Sequence, residues 1–178
     1  MDVRPVLIIQ CGAKKLEHRA TVRDLYLGPF WSTYRARRKE QDGATGDHSV
    51  LAVFVLSAEH GLVPEGQEIA PYDARIITRR NGRNIEKGCR FVPADELSLK
   101  VKRQARKLDL SKRVVFFVGG QDYAIVLNLA GVSFESLSDG GLLAKRSALN
   151  RFLKEHPSIQ NGNPLEEALA RIGGWALV

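Results

Sequence analysis

Cysteine is scarce in this chain: Cys11 and Cys89 are the only two among 178 residues. Two such distant thiols make no disulfide framework. No set of His, Cys and carboxylate residues has metal-ligand spacing, so no metal is expected. Long apolar runs are also missing, which argues against a membrane-crossing helix and a membrane partner. The chain opens without a signal-like segment, because Val6-Leu-Ile-Ile9 reads as a strand, and a reducing cytoplasm is the expected compartment. Neither the dinucleotide-binding nor the Walker-type glycine pattern occurs, and the residues call for no cofactor. There is no repeat, low-complexity tract or linker, so residues 1–178 read as one domain.

What is present is ordinary in amount and unusual in arrangement. An apolar fraction of 44% and a charged fraction of 26% suit a globular protein, and the length is enough to bury a normal core. Three short apolar runs end abruptly in small, polar or ionisable residues. They are Val6-Leu-Ile-Ile-Gln-Cys11-Gly12, Val50-Leu-Ala-Val-Phe-Val-Leu-Ser57-Ala-Glu59-His60-Gly61 and Val114-Val-Phe-Phe-Val-Gly119-Gly120-Gln121. Continuous apolar runs of this kind are buried parallel strands. In an open parallel α/β sheet their carboxyl ends share one edge, where ligands bind. The three tails are therefore expected to meet in space.

Helical spacing and stop signals divide the rest. Residues 20–27 read as a short helix or structured loop, and Pro29 as the first residue of a helix carrying Phe30, Trp31 and Tyr34. Residues 41–48 have almost no apolar side chain and read as a loop. Residues 62–91 are broken by prolines and glycines. Asp95 is expected to cap a helix whose buried stripe is Leu97, Val101, Ala105 and Leu108. Further helices are expected over 123–129 and 142–153, with a fourth strand over 132–137. A last helix opens at Asn163-Pro164 and stops at Gly173-Gly174. His156-Pro157-Ser158 reads as a helix stop, and Trp31 and Trp175 as core.

Each strand tail carries candidate chemistry beside a purely structural reading. Cys11, next to Lys14 and Lys15, has the setting of an activated thiol, but a cysteine closing a buried strand also serves as a small core filler. Gly12 permits close backbone approach, and either lysine can hold an anion; Lys14 ranks above Cys11 for a chemical role. His60 titrates near neutrality and, with Asp73, could act in acid–base chemistry; equally, both could only shape their loop. Gly119 and Gly120 precede a helix, where backbone N–H groups suit a phosphate, or simply cap it. Gln121 could read a base edge and Tyr123 could stack on it.

The positive charge lies in one block. Residues 75–113 hold thirteen Lys or Arg against four acids, while the remainder holds fourteen against sixteen. A block with a local excess of nine suits a polyanion, and Arg75, Arg79, Arg80, Arg83, Lys102 and Arg106 are candidates for a nucleic-acid backbone. A solvated helix face is the plainer account.

The motifs Cys11-Gly-Ala-Lys14-Lys15, Arg23-Asp24-Leu25-Tyr26, Leu56-Ser57-Ala58-Glu59-His60-Gly61-Leu62 and Pro71-Tyr72-Asp73 occur in this order. Together they resemble a bacterial and phage family of unknown function related to the peroxide-stress protein YaaA and, more distantly, the amidotransferase domain of archaeosine synthase. The resemblance implies a three-layer α/β/α sandwich with a small, mostly parallel sheet, akin to uracil-DNA glycosylases. It also implies a role in nucleic-acid modification, repair or protection, with Cys11, Lys14, Tyr26, Ser57, His60, Tyr72 and Asp73 lining the site. The expected activity is N-glycosidic cleavage or modification of a base in DNA or RNA, the base being flipped from a duplex. Lys14, His60 and Asp73 are the catalytic candidates, with Cys11, Gly12, Tyr26, Ser57, Tyr72, Gly120, Gln121 and Tyr123 on the ligand. The alternatives are nucleic-acid binding without turnover and a pocket for a free nucleotide or sugar phosphate.

Overall fold

Apolar strands that must be covered on both faces set the architecture, and a computed structural model describes residues 4–45, 51–78 and 89–155. The elements run β1 (Val6–Gln10), β2 (Ala20–Thr21), α1 (Val22–Leu25), α2 (Pro29–Thr45), β3 (Ala52–Ser57), β4 (Gly61–Pro64) and β5 (Glu68–Ile69). There follow β6 (Ala74–Ile77), β7 (Arg90–Pro93), α3 (Ala94–Lys107), a 3-10 turn (Leu110–Lys112), β8 (Val115–Val118), α4 (Gln121–Leu129), β9 (Glu135–Ser136) and α5 (Leu142–Glu155). The central sheet has five strands in the order β4-β3-β1-β8-β9. Four of them are parallel, and only β4 runs antiparallel, beside β3.

Alternation along β1 sends its side chains to two separate cores. Val6 and Ile8 pack with Leu97 and Val101 of α3 and with Val126 and Leu127 of α4. Leu7 and Ile9 pack with Trp31 and Tyr34 of α2 and with Leu149 and Phe152 of α5. Each such side chain, when fully buried, contributes roughly 1.5–3 kcal/mol. The result is an α/β fold with a mostly parallel sheet between two helical layers. Val6 lies opposite both Ala52 and Val115, and Ile9 opposite both Val55 and Val118, so the three strands end nearly level. From β1 the chain leaves through α2 on one face; from the adjacent β8 it leaves through α4 on the other. Loops that part in this way open a crevice between two neighbouring strand ends.

Several elements differ from the sequence expectation. Helix α2 continues through Thr45, across the stretch expected to be loop from residue 41. Propagation adds one hydrogen bond per residue once a helix is docked, and Gly43 costs only about 1 kcal/mol against it. Pro93, not Asp95, holds the cap position of α3, with φ −58° and ψ 139°. Asp95 sits in the first turn and accepts the Glu96 N–H at 3.0 Å. The fourth parallel strand shrinks to Glu135–Ser136. Residues 62–91 hold short strands: β5 pairs with β2, and β6 pairs in parallel with β7. The helix expected after Asn163, Trp175 and His156-Pro157-Ser158 lie outside the described residues.

Edge strand β4 is fastened to α3 by one side chain. Gln104 accepts the Leu62 N–H at 2.9 Å and donates to the carbonyls of His60 and Leu62 at 3.0 and 3.1 Å. One amide thus satisfies backbone groups that an edge would leave unpaired. Gly61 has φ +74°, and a Cβ there would overlap the Gln104 amide oxygen. The left-handed conformation alone costs a side chain about 1–2 kcal/mol. Gly61→Ala is therefore expected to lower unfolding free energy by about 2 kcal/mol in urea titrations. Gly66→Ala, where a Cβ meets nothing within 4 Å, should shift it by less than about 0.5 kcal/mol. Equal midpoints for the two variants would contradict the clamp.

Candidate functional site

Three strand tails converge at the level end of the sheet. Ser57 closes β3 and is fully buried. Its Oγ accepts the N–H groups of Glu59 and His60 at 3.1 and 2.9 Å, which bends the chain and carries His60 outward. The same hydroxyl donates to Tyr72 Oη at 2.7 Å, and Tyr72 Oη lies 2.7 Å from Tyr26 Oη. From the tail of β1, Cys11 Sγ lies 2.9 Å from Tyr123 Oη, on α4. Cys11 and Tyr26 share one core cluster, against which both Tyr72 and Tyr123 pack.

The β1 tail is itself pinned. Lys15 and Tyr26 form an antiparallel bridge, Leu16 N donates to Leu25 O at 2.9 Å, and Leu27 N donates to Lys14 O at 3.0 Å. This hairpin-like contact turns Lys15 toward the tyrosines and Lys14 toward solvent. Lys15 Nζ stands 4.3 Å from the Tyr72 ring centroid and 5.8 Å from that of Tyr26, within cation–π range. Gln10 and Trp31 brace the tail from beneath. Gln10 Oε1 accepts the Gly120 N–H, and Trp31 Nε1 donates to Gln10 O at 3.0 Å. A Cβ on Gly119 would run into the Phe117 ring, so this glycine is required by close approach.

Burial governs the electrostatics. It holds the phenols of Tyr26, Tyr72 and Tyr123 well above the ordinary tyrosine range, and the neighbouring Cys11 raises them further. Tyr34 is also raised by burial, with Glu65 adding to the effect. His60 goes the other way: desolvation lowers it from 6.5, Glu59 opposes the shift and Lys100 adds to it. Its imidazole is therefore neutral at pH 7. The ring packs edge-on with Tyr72, centroids 5.1 Å apart.

The sequence candidates do not all come together, and Lys14 is exposed. Cys11, Tyr26, Ser57, His60, Tyr72 and Tyr123 come together. Gly12 adjoins Gly28, where an added Cβ would meet only ordinary contacts, and Gly120 caps α4. Asp73 follows Tyr72 but is exposed; its carbonyl accepts Arg90 N at 3.0 Å, and no hydrogen bond joins its carboxylate to His60. Gln121 is exposed at the start of α4. Arg75, Lys102 and Arg106 are exposed, whereas Arg79, Arg80 and Arg83 lie outside the described residues. Tyr26 is 0% exposed, so its ring face is covered and only its hydroxyl belongs to the cluster. Sequence reasoning missed Lys15's place on Tyr72, and also Gln10 and Gln104. Gln10, a polar residue ending an apolar strand, carried a usable signal; Gln104, in a helix rich in polar residues, carried none. No group of three or more His, Cys, Asp or Glu residues among those described could hold a metal ion, and no described helix is long and apolar enough to cross a membrane.

Fold and site together define an α/β protein with a tyrosine-rich polar cluster at the switch point of a parallel sheet. The chain belongs to a family of unknown function, DUF6884, whose model matches residues 6–136. That span runs from the first residue of β1 to the last of β9 and so contains the whole central sheet. No curated protein and no solved structure gave a match.

All four tyrosines of the chain have raised phenols. Above pH 10 the folded state keeps protons that the unfolded state releases, so this contribution to stability is complete below pH 10 and falls as pH rises. Four such groups give a slope of about 5 kcal/mol per pH unit. In the native protein, phenolate absorbance near 295 nm is expected to stay flat through pH 10 and to rise only with unfolding at higher pH. A reversible native titration near pH 10 would contradict the buried cluster.

Proposed function

We propose that this protein acts on a nucleobase in DNA or RNA, by N-glycosidic cleavage or base modification. The observation that carries this reading is the direct link between the His60 loop and the basic helix α3. Lys100 donates to Glu59 O at 2.8 Å, and Gln104 holds His60 O. On the same helix Lys102, Arg103, Arg106 and Lys107 are exposed. A polyanion lying on α3 would thus bring its bases to the loop carrying His60. The resemblance to the family of the peroxide-stress protein YaaA supports the same class of substrate.

In this reading α3 binds phosphates, and Arg75, exposed on β6, adds to its charge. Tyr72 and Tyr123, both half-buried, are the rings available to a base. His60, neutral at pH 7, suits a proton acceptor better than a proton donor. Asp73, exposed at the rim, is left to orient water or to offset positive charge on a sugar. A second reading is nucleic-acid binding without turnover. The missing hydrogen bond between Asp73 and His60 favours it, since an acid–base pair must reach a common reacting atom.

Labelled single- and double-stranded oligonucleotides are expected to bind with affinity that falls steeply with salt. Lys102→Glu with Arg106→Glu should weaken binding and flatten the log–log salt slope by about 1 to 2. Mass spectrometry of oligonucleotides carrying modified bases then separates the readings. Base loss or mass change that disappears in His60→Gln supports catalysis; binding with no mass change supports the second reading. Absence of oligonucleotide binding at low salt would reject both.

A further inference from the structure

The cluster at the strand tails holds more protons than acceptors. The hydroxyls of Ser57, Tyr72 and Tyr26 form a chain with two hydrogen bonds, so one of their three protons points outside it. Ser57 already accepts two N–H groups and spends its proton on Tyr72. Tyr26 is fully buried, and its hydroxyl neighbours are Tyr72 and Ser57, of which Ser57 already has both lone pairs taken by N–H groups. A buried proton without an acceptor is costly, so Tyr26 donates to Tyr72, and the surplus proton is Tyr72's own. The Cys11–Tyr123 contact likewise joins two protons by one hydrogen bond.

Two more donors stand at the same ring. Lys15 Nζ, over Tyr72, has no carboxylate partner among the described residues and only the Ala13 carbonyl, at 3.4 Å. The His60 imidazole makes no hydrogen bond to any described residue, and its edge-on neighbour is Tyr72. The nearest carboxylate on this loop, Glu59, is taken by Arg90 at 2.6 Å. A cation, a surplus phenol proton and an imidazole N–H, with no anion among them, lack an acceptor with several oxygens. A carboxylate is usually met by the flat fork of an arginine. Separate donors around a lysine suit a phosphate.

We propose that Lys15, Tyr72 and His60 form a binding site for a phosphate group. Lys15 supplies the charge and Tyr72 the oriented proton; His60 adds one N–H. The phosphate has two possible sources: a nucleic-acid backbone or a free nucleotide. The site rests on the nucleic-acid reading only for the first of these.

Thermal unfolding with inorganic phosphate, set against sodium chloride at matched ionic strength, tests the site. Phosphate is expected to raise the melting temperature of the unaltered protein beyond the chloride control. Lys15→Met and Tyr72→Phe should each weaken the apparent phosphate affinity about tenfold, while Lys39→Met, at an exposed position on α2, should leave it within about twofold. Equal stabilisation by chloride, or unchanged affinity in Lys15→Met, overturns the proposal. Should Tyr72→Phe not fold, Lys15→Met decides alone, because Lys15 lies at the solvent side of the ring. An abasic single-stranded oligonucleotide and deoxyadenosine 5′-monophosphate then identify the source. Competition by the abasic strand that is lost in Lys15→Met supports the backbone. Competition by the mononucleotide alone supports a free nucleotide, and would reject the nucleic-acid reading while this site stands. Competition by neither overturns the proposal.

Discussion

A single buried hydroxyl organises the polar end of the sheet. Ser57 is 0% exposed, and its oxygen makes every hydrogen bond open to it: two accepted from the loop that follows, one donated to Tyr72. An unpaired hydroxyl at that depth costs about 1–3 kcal/mol. The loop from β3, the turn carrying Tyr72 and the buried Tyr26 are thus positioned together. The neighbouring Cys11–Tyr123 contact completes the arrangement from the β1 and α4 side.

The sheet was legible where burial left a strong pattern. β1, β3 and β8 are covered on both faces, so each appears as an unbroken apolar run, and their tails meet as that pattern implies. The stripe of Leu97, Val101 and Ala105 was equally plain, because α3 has one apolar side. Elements without a continuous apolar face were harder. The end of α2 carries polar residues and a glycine, and β9 is two exposed residues held by pairing with β8. Nothing local in either distinguishes them from loop.

The two lysines after β1 show the limit most clearly. Lys14 and Lys15 are chemically identical and adjacent, and only the bridge between Lys15 and Tyr26 decides which faces the cluster. That bridge depends on pairing across the turn between them, which residue type does not encode. The same holds for Tyr26. Its motif position suggests a ligand contact, yet Trp31 lies 5.6 Å from its ring and helps to cover it. Aromatic residues near a site serve the core or the ligand according to which face is already occupied.

Coupling between the basic helix and the polar cluster follows from the same contacts. Gln104 and Lys100 lie one helical turn apart on α3 and both hold the loop of residues 59–62 by its backbone. Backbone contacts fix where the loop lies whatever its side chains are doing, so His60 moves only with α3 or with Ser57. Both are anchored in the core: α3 through Leu97 and Val101, and Ser57 as the end of β3, which pairs with β1 as far as Leu56 and with β4 at Ser57 itself. The backbone of His60 is therefore held by rigid elements on two sides, although it stands on a loop. A flexible loop would have to be ordered when a ligand binds, at a cost in entropy; this one is ordered beforehand. What remains adjustable are the His60 ring and the long side chain of Lys15, at the mouth.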